Sequence, residues 1–178
     1  MKSVRSEIDD SHVTVTHDRP ILGIDPGLNR TGYAVLVRDG RAGRLIEGGV
    51  IRTTREKSLA DRLAEIALGV REVIAEHKPG CVAVEQAFAH SRNLRSSLLV
   101  AHTRGAILLV AAECRLPVLH LTPAEVKRLL TGSGRASKEQ VQAAIRMELG
   151  LNEVLEPNDV ADASAVALCV LHRVRFAA

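Results

Sequence analysis

A chain of 178 residues, 46% hydrophobic and 25% charged, has the length of one domain with a substantial core and an ordinary globular composition. No apolar run reaches the ~18 residues that a bilayer span requires, so a membrane protein is not expected. Net charge is only +3 but unevenly spread: Phe88 to Arg146 holds nine Lys/Arg against three Asp/Glu, and Met147 onward two against five. Such segregation fits an acidic centre beside a basic surface, and solvated helix faces would give the same balance.

Residues 1–20 are polar, of mixed charge and without a signal-peptide apolar region, and are expected to be a flexible N-terminal extension. Ile21 to Asp25 is an apolar strand stopped by the turn signal Asp25-Pro26-Gly27. Thr31 to Arg38 and Arg44 to Arg52 follow as strand-like runs, giving an antiparallel meander. Lys57 to Glu76 has helical period, with Leu59, Leu63, Ile66, Val70, Val73 and Ile74 on one stripe. Lys78-Pro79-Gly80 ends it, and Cys81 to Glu85 is a short continuous apolar strand of the kind covered on both faces. Leu94 to Cys114 is a long helix apolar on more than one side, which must bury two faces. Pro117 to Leu121 is a further strand, and Thr122-Pro123 starts a helix with Pro at its first position. Ser137-Lys138-Glu139-Gln140 opens another as a capping box, and Pro157-Asn158 introduces the last, about Asp159 to His172. The order βββαβαβααα implies an α/β layered fold, a mixed sheet flanked by helices, over residues 21–174. Three cysteines, Cys81, Cys114 and Cys169, lie in apolar stretches without a Cys-x-x-Cys pair, which points to buried, reduced thiols and a cytoplasmic protein.

Four acids stand at the edges of apolar segments: Asp25, Glu85, Asp159 and Asp162. Carboxylates are rarely buried without a partner, because desolvating the charge costs several kcal/mol. If the strands ending in Asp25 and Glu85 lie side by side, their C-terminal edges bring those two groups together. Asp159 and Asp162 are three apart on a helix and share a face. Taken singly, Asp25 is explained as a turn residue, Asp159 as a helix cap and Asp162 as a surface residue. Together they point to divalent cations, and oxygen-only ligands favour Mg²⁺ or Mn²⁺. Two ions ~4 Å apart would serve the attacking and leaving oxygens of a phosphodiester hydrolysis.

Ile24-Asp25-Pro26-Gly27 with Thr31-Gly32-Tyr33, Glu85-Gln86-Ala87-Phe88 and Asp159-Val160-Ala161-Asp162-Ala163 resemble the RuvC Holliday-junction resolvases. The resemblance runs from about Ile21 to His172, through Ala101 to Leu121, Val126-Lys127 and Ser137 to Gln142. It implies an RNase H-like fold with a five-stranded sheet and a homodimer. It also implies Mg²⁺-dependent nicking of two opposing strands of a four-way junction, and cooperation with the RuvA–RuvB branch-migration motor. The catalytic acids, matched by motif, would be Asp25, Glu85, Asp159 and Asp162.

Aromatics make up only 2% of the chain, and one of two phenylalanines, Phe88, follows Glu85 by three residues. It would stack on a base at an opened junction or fold back onto the core; the resemblance favours the base. Arg92 is a further DNA contact, and Lys127 and Lys138 match basic positions of the family that aid binding and cleavage. Gly132-Ser133-Gly134-Arg135 does not fit a phosphate loop, and the histidines lack metal-binding spacing, so His102 and His120 are expected to be structural and His172 to support its helix end. Small residues Ala101, Gly105 and Ala112 would let a second copy of the Leu94–Cys114 helix approach closely in a two-fold dimer. Three alternatives stand beside this: an actin-like or sugar-kinase domain, a YqgF-type nuclease, and an architectural protein that binds junctions without cutting them.

Overall fold

The computed structural model describes residues 18–40, 42–86 and 94–176, with side chains as far as Arg173. Five strands form one mixed sheet: β1 (Ile21–Asp25), β2 (Arg30–Asp39), β3 (Ala42–Arg52), β4 (Cys81–Glu85) and β5 (Val118–Leu121). Their order is β3-β2-β1-β4-β5, with β1 antiparallel to β2 and parallel to β4, and β4 parallel to β5. Five helices complete the described residues: α1 (Leu59–His77), α2 (Leu94–Glu113), α3 (Pro123–Thr131), α4 (Lys138–Glu148) and α5 (Asn158–Phe176).

Alternation along the strands divides the side chains between two apolar layers. Leu22, Ile24, Val35, Val82 and Val84 pack with Ile66, Val70, Ile107 and Val110 of α1 and α2. Ile21, Ala34, Leu36, Cys81 and Ala83 pack on the other face with α3, α4 and α5. Asp25 shares its parity with Ile21 and Gly23, and Glu85 with Cys81 and Ala83. Both carboxylates therefore belong to the α5 side of the sheet.

That helix lies directly on β1. A Cβ on Gly23 would stand 2.2 Å from the Ala163 carbonyl and 2.8 Å from Ala167 Cβ, so only glycine permits the approach. Ala161, Ala163, Ala165 and Ala167, all buried, keep the facing surface of α5 shallow. The turn after β1 is braced from α1: Arg62 donates to the Leu28 carbonyl, to Asn29 Oδ1 at 2.5 Å and to Thr53 Oγ1 at 2.9 Å. Thr31 Oγ1 and Thr53 Oγ1 bond the carbonyls of Gly27 and Leu28. Capping boxes begin α3, through Thr122 and Glu125, and α4, through Ser137 and Gln140.

Several details depart from expectation. The two N-terminal hairpin strands are longer than their apolar runs indicate, reaching Arg30 and Ala42. Ser58 caps α1 by accepting from the Asp61 N–H, so Leu59 falls in an exposed first turn and not in the core. Cys114 is exposed, whereas Cys81 and Cys169 are buried and burial pushes both thiols up to about 12. The last helix continues past His172, whose Nε2 lies 3.4 Å from Glu148 Oε2 instead of meeting terminal carbonyls. His102 is exposed, and His120 meets the Arg104 guanidinium. Among the described residues α2 alone is long and apolar enough to cross a membrane by length and composition. Here it packs on α1 and buries Thr103, Ile107, Val110 and Ala111. Of the expected extension 1–20, residues 1–17 lie outside the described residues, while the Pro20 carbonyl already accepts from Gly80 N–H.

Replacing Gly23 by Val should cost about 2–3 kcal/mol by overpacking β1 against α5, read as a lowered urea midpoint. An unchanged midpoint would contradict the close approach.

Candidate active site

Parallel pairing of β1 with β4 sets Ile24 beside Val84, so Asp25 and Glu85 emerge together at the C-terminal edges of adjacent strands. Ligands bind at such edges in open α/β sheets. The first turn of α5 crosses this edge. Its approach is fixed at β2, where a Cβ on Gly32 would stand 2.1 Å from the Asp159 carbonyl oxygen. One turn further, Asp162 joins Glu85, Lys127 and Lys138 in lining an open cleft of about 260 Å³, closed by Pro123, Val126, Val141 and Ala165.

Crowding sets the electrostatics. Burial, and then the charges of Asp162 and Asp159, push Asp25 up from 3.8 to about 6, against a small opposing effect of Lys138. Burial, then Asp25 and Asp162, push Glu85 from 4.5 to about 7, opposed by Lys127. Each acid of α5 instead has a basic partner: Lys138 Nζ stands 3.6 Å from Asp162 Oδ2, and Arg30 Nη2 donates to Asp159 Oδ2 at 2.5 Å. Asp159 and Asp162 were expected to act alike from their spacing. In the structure Asp162 faces the cleft and Asp159 is turned to Arg30 at the start of β2. Nothing in the sequence marks Arg30 beyond its place five residues after Asp25, and the Arg62 brace on the turn was equally unforeseen.

All four acids thus share one corner, but no three of them bring ligand oxygens within 4.8 Å of one another. Among the described residues only Glu47, Glu76 and His77 do so, between β3 and the end of α1. There Glu47 is already engaged on both oxygens, by the Tyr33 hydroxyl at 2.6 Å and His77 Nε2 at 3.0 Å, an internal hydrogen-bond network. The absence of His metal spacing in the sequence did not anticipate this grouping. Phe88 and Arg92 lie outside the described residues.

A mixed five-stranded sheet with helices on both faces, carrying acids at the β1/β4 edge beneath a C-terminal helix, is the RNase H-like architecture. The chain belongs to the RuvC family: the family model described as crossover junction endodeoxyribonuclease RuvC matches residues 21–170. It is 50% identical over 149 residues to the crossover junction endodeoxyribonuclease RuvC of Rhodopirellula baltica, covering 84% of each chain. Thermus thermophilus RuvC, solved in complex with Holliday junction substrate, is 35% identical, with a TM-score of 0.83 over 89% of this chain and 96% of that one. The yeast mitochondrial Holliday junction resolvase Ydc2, at 15% identity and a TM-score of 0.53 over 94% and 88%, shares the fold. Membership of this family sets aside the sugar-kinase and YqgF-type alternatives.

A carboxyl whose folded pKa is raised binds more protons in the native state than in the unfolded one, so its contribution to stability falls as pH rises between the two values. That interval is 3.8 to about 6 for Asp25 and 4.5 to about 7 for Glu85. Asp25→Asn should therefore raise the melting temperature of protein in EDTA at about pH 8 and give little gain near pH 4, where the native acids are protonated. A loss of stability at the higher pH would show that the four charges do not repel as described.

Proposed function

We propose that the chain is a divalent-metal-dependent Holliday-junction resolvase, nicking two opposing strands of a four-way DNA junction symmetrically in recombination and repair. The observation that carries this is the meeting of Asp25, Glu85 and Asp162 at one sheet edge with Lys127 and Lys138 in the same cleft. Support comes from 35% identity to a RuvC solved with a Holliday junction substrate.

The donors are all carboxylate oxygens, and the two most crowded resist ionisation, the signature of a site that gains by taking up hard cations. Asp25, Glu85, Asp162 and Asp159 would hold two Mg²⁺, or Mn²⁺ in their place. Bound there, such ions supply the Lewis acidity that activates a water and offsets charge on the leaving 3′-oxygen. The chain's own residues do the rest. Lys127 and Lys138 present ammonium groups to the scissile phosphate and stabilise charge that builds on it. By the family resemblance, Phe88 would stack on an opened base and Arg92 would contact a phosphate or a base.

The working unit is a single nuclease domain over residues 21–174, acting as a homodimer in the reducing cytoplasm, with the RuvA–RuvB motor as a further partner. Leu94, Leu98, Ala101, Gly105, Leu109 and Ala112 form an exposed stripe along α2 at intervals of three and four, and among the described residues nothing beyond its own helix lies within 4 Å of the Cβ position of Gly105. A second copy covering this stripe would place two sites on a substrate of matching two-fold symmetry.

On a labelled four-way junction with Mg²⁺, the wild type should give paired symmetric nicks. Asp25→Asn should lose nicking by at least ~100-fold while binding the junction as tightly or more so. Binding without nicking by the wild type, in Mg²⁺ and in Mn²⁺, would favour an architectural protein. Light scattering should give twice 19.2 kDa, and Leu98→Glu should shift the mass towards the monomer. A wild-type monomer would remove the α2 interface.

A further inference from the structure

We propose that Arg30 is the resident counter-ion of Asp159, holding it out of the metal-binding set until a divalent cation displaces the guanidinium. This rests on the resolvase assignment, since it concerns how that same site loads.

The contact is charge-assisted, with Arg30 Nη2 2.5 Å from Asp159 Oδ2, and both side chains are partly withdrawn from water, at 40% and 23% exposure. It is also single-ended. A guanidinium normally grips a carboxylate with two parallel N–H bonds, but Arg30 Nε is buried and has no hydrogen-bond partner among the described residues. A one-bond grip is one that a divalent ion can replace.

Geometry keeps the pair in register. Arg30 lies two residues before Gly32, and the Asp159 backbone rests on Gly32 too closely for any side chain there. Helix and strand thus present the two groups to each other, while the side chains themselves, 40% and 23% exposed, stay free to part. The other charges facing this corner are Asp25, Glu85, Asp162, Lys127 and Lys138. Lys138 pairs with Asp162, and Lys127 acts on Glu85, which leaves Arg30 as the cation committed to Asp159. Were Arg30 instead an orienting partner of a preformed site, its removal would weaken metal binding, as loss of a hydrogen bond behind a ligand does.

The test is Mn²⁺ binding to the full chain without DNA, by electron paramagnetic resonance of free Mn²⁺ at about pH 8, where both raised carboxyls ionise. Arg30→Gln should bind Mn²⁺ about fivefold more tightly than wild type, the scale of one partly exposed ion pair. Arg30→Lys, which keeps the charge, should remain within about twofold of wild type. In an Asp159→Asn background, Arg30→Gln should change nothing, because the partner is gone. Unchanged or weaker binding by Arg30→Gln, or a gain that persists without Asp159, overturns the proposal. In wild-type protein the Arg30 side-chain N–H resonances should shift on saturation with Mg²⁺, and resonances unmoved by the ion would also overturn it. If Asp25→Asn binds Mn²⁺ as well as wild type does, the assignment of the metal site itself fails and the role of Arg30 falls with it. Wild-type binding lost in Asp25→Asn but unaffected by Arg30→Gln condemns the Arg30 proposal alone.

Discussion

Mutual repulsion among Asp25, Glu85, Asp159 and Asp162 is the constraint around which this end of the molecule is arranged. The chain relieves it in two different ways. The two acids on α5 each have a basic side chain, Lys138 for Asp162 and Arg30 for Asp159. The two acids on the strands are more buried and are relieved by a tendency to keep their protons, with Asp25 raised to about 6 and Glu85 to about 7. Neither remedy is needed by a protein that only binds DNA, where clustered negative charge would oppose the phosphates. Cations entering the corner would replace both remedies at once, which is how a site can be costly when empty and still be the reason for the fold around it.

The scaffold supplies the crowding through backbone contact. Gly23 and Gly32 are points of very close approach of α5 to β1 and β2, and each excludes even a methyl group. Because strand side chains alternate, the same parity that points Ile21 and Gly23 at α5 also delivers Asp25 to it. Cys81 and Ala83 do the same for Glu85. The turn that follows Asp25 is stitched to α1 by Arg62 and to the residue after β3 by Thr53, so the end of β1 is braced from the α1 side of the sheet.

Much of this was legible in the residues. Short apolar strands ending in Asp25 and Glu85 announced a sheet edge, and the three-residue spacing of Asp159 and Asp162 placed both at the start of one helix, though it did not foretell the turning of Asp159 to Arg30. The starts of α3 and α4 were readable from Thr122-Pro123 and Ser137 to Gln140, because capping is local chemistry. What was not legible depends on contacts between distant segments. The Arg30–Asp159 pair joins residues 129 apart, and no local pattern predicts it. The Glu47–His77 contact likewise needs β3 and the end of α1 to be adjacent, so no spacing rule for histidines could find it. Leu59 and Cys114 show the converse error. Each belongs to an apolar run, but a helix has an outside, and position along the run does not say which residues reach it.

Anomalous diffraction from crystals soaked in Mn²⁺ tests the central claim most directly, since it locates the ion without reference to activity. Density should appear at the β1/β4 edge, within bonding distance of carboxylate oxygens of Asp25 and Asp162. An edge left bare while Mn²⁺ settles at Glu47, Glu76 and His77 would contradict the account.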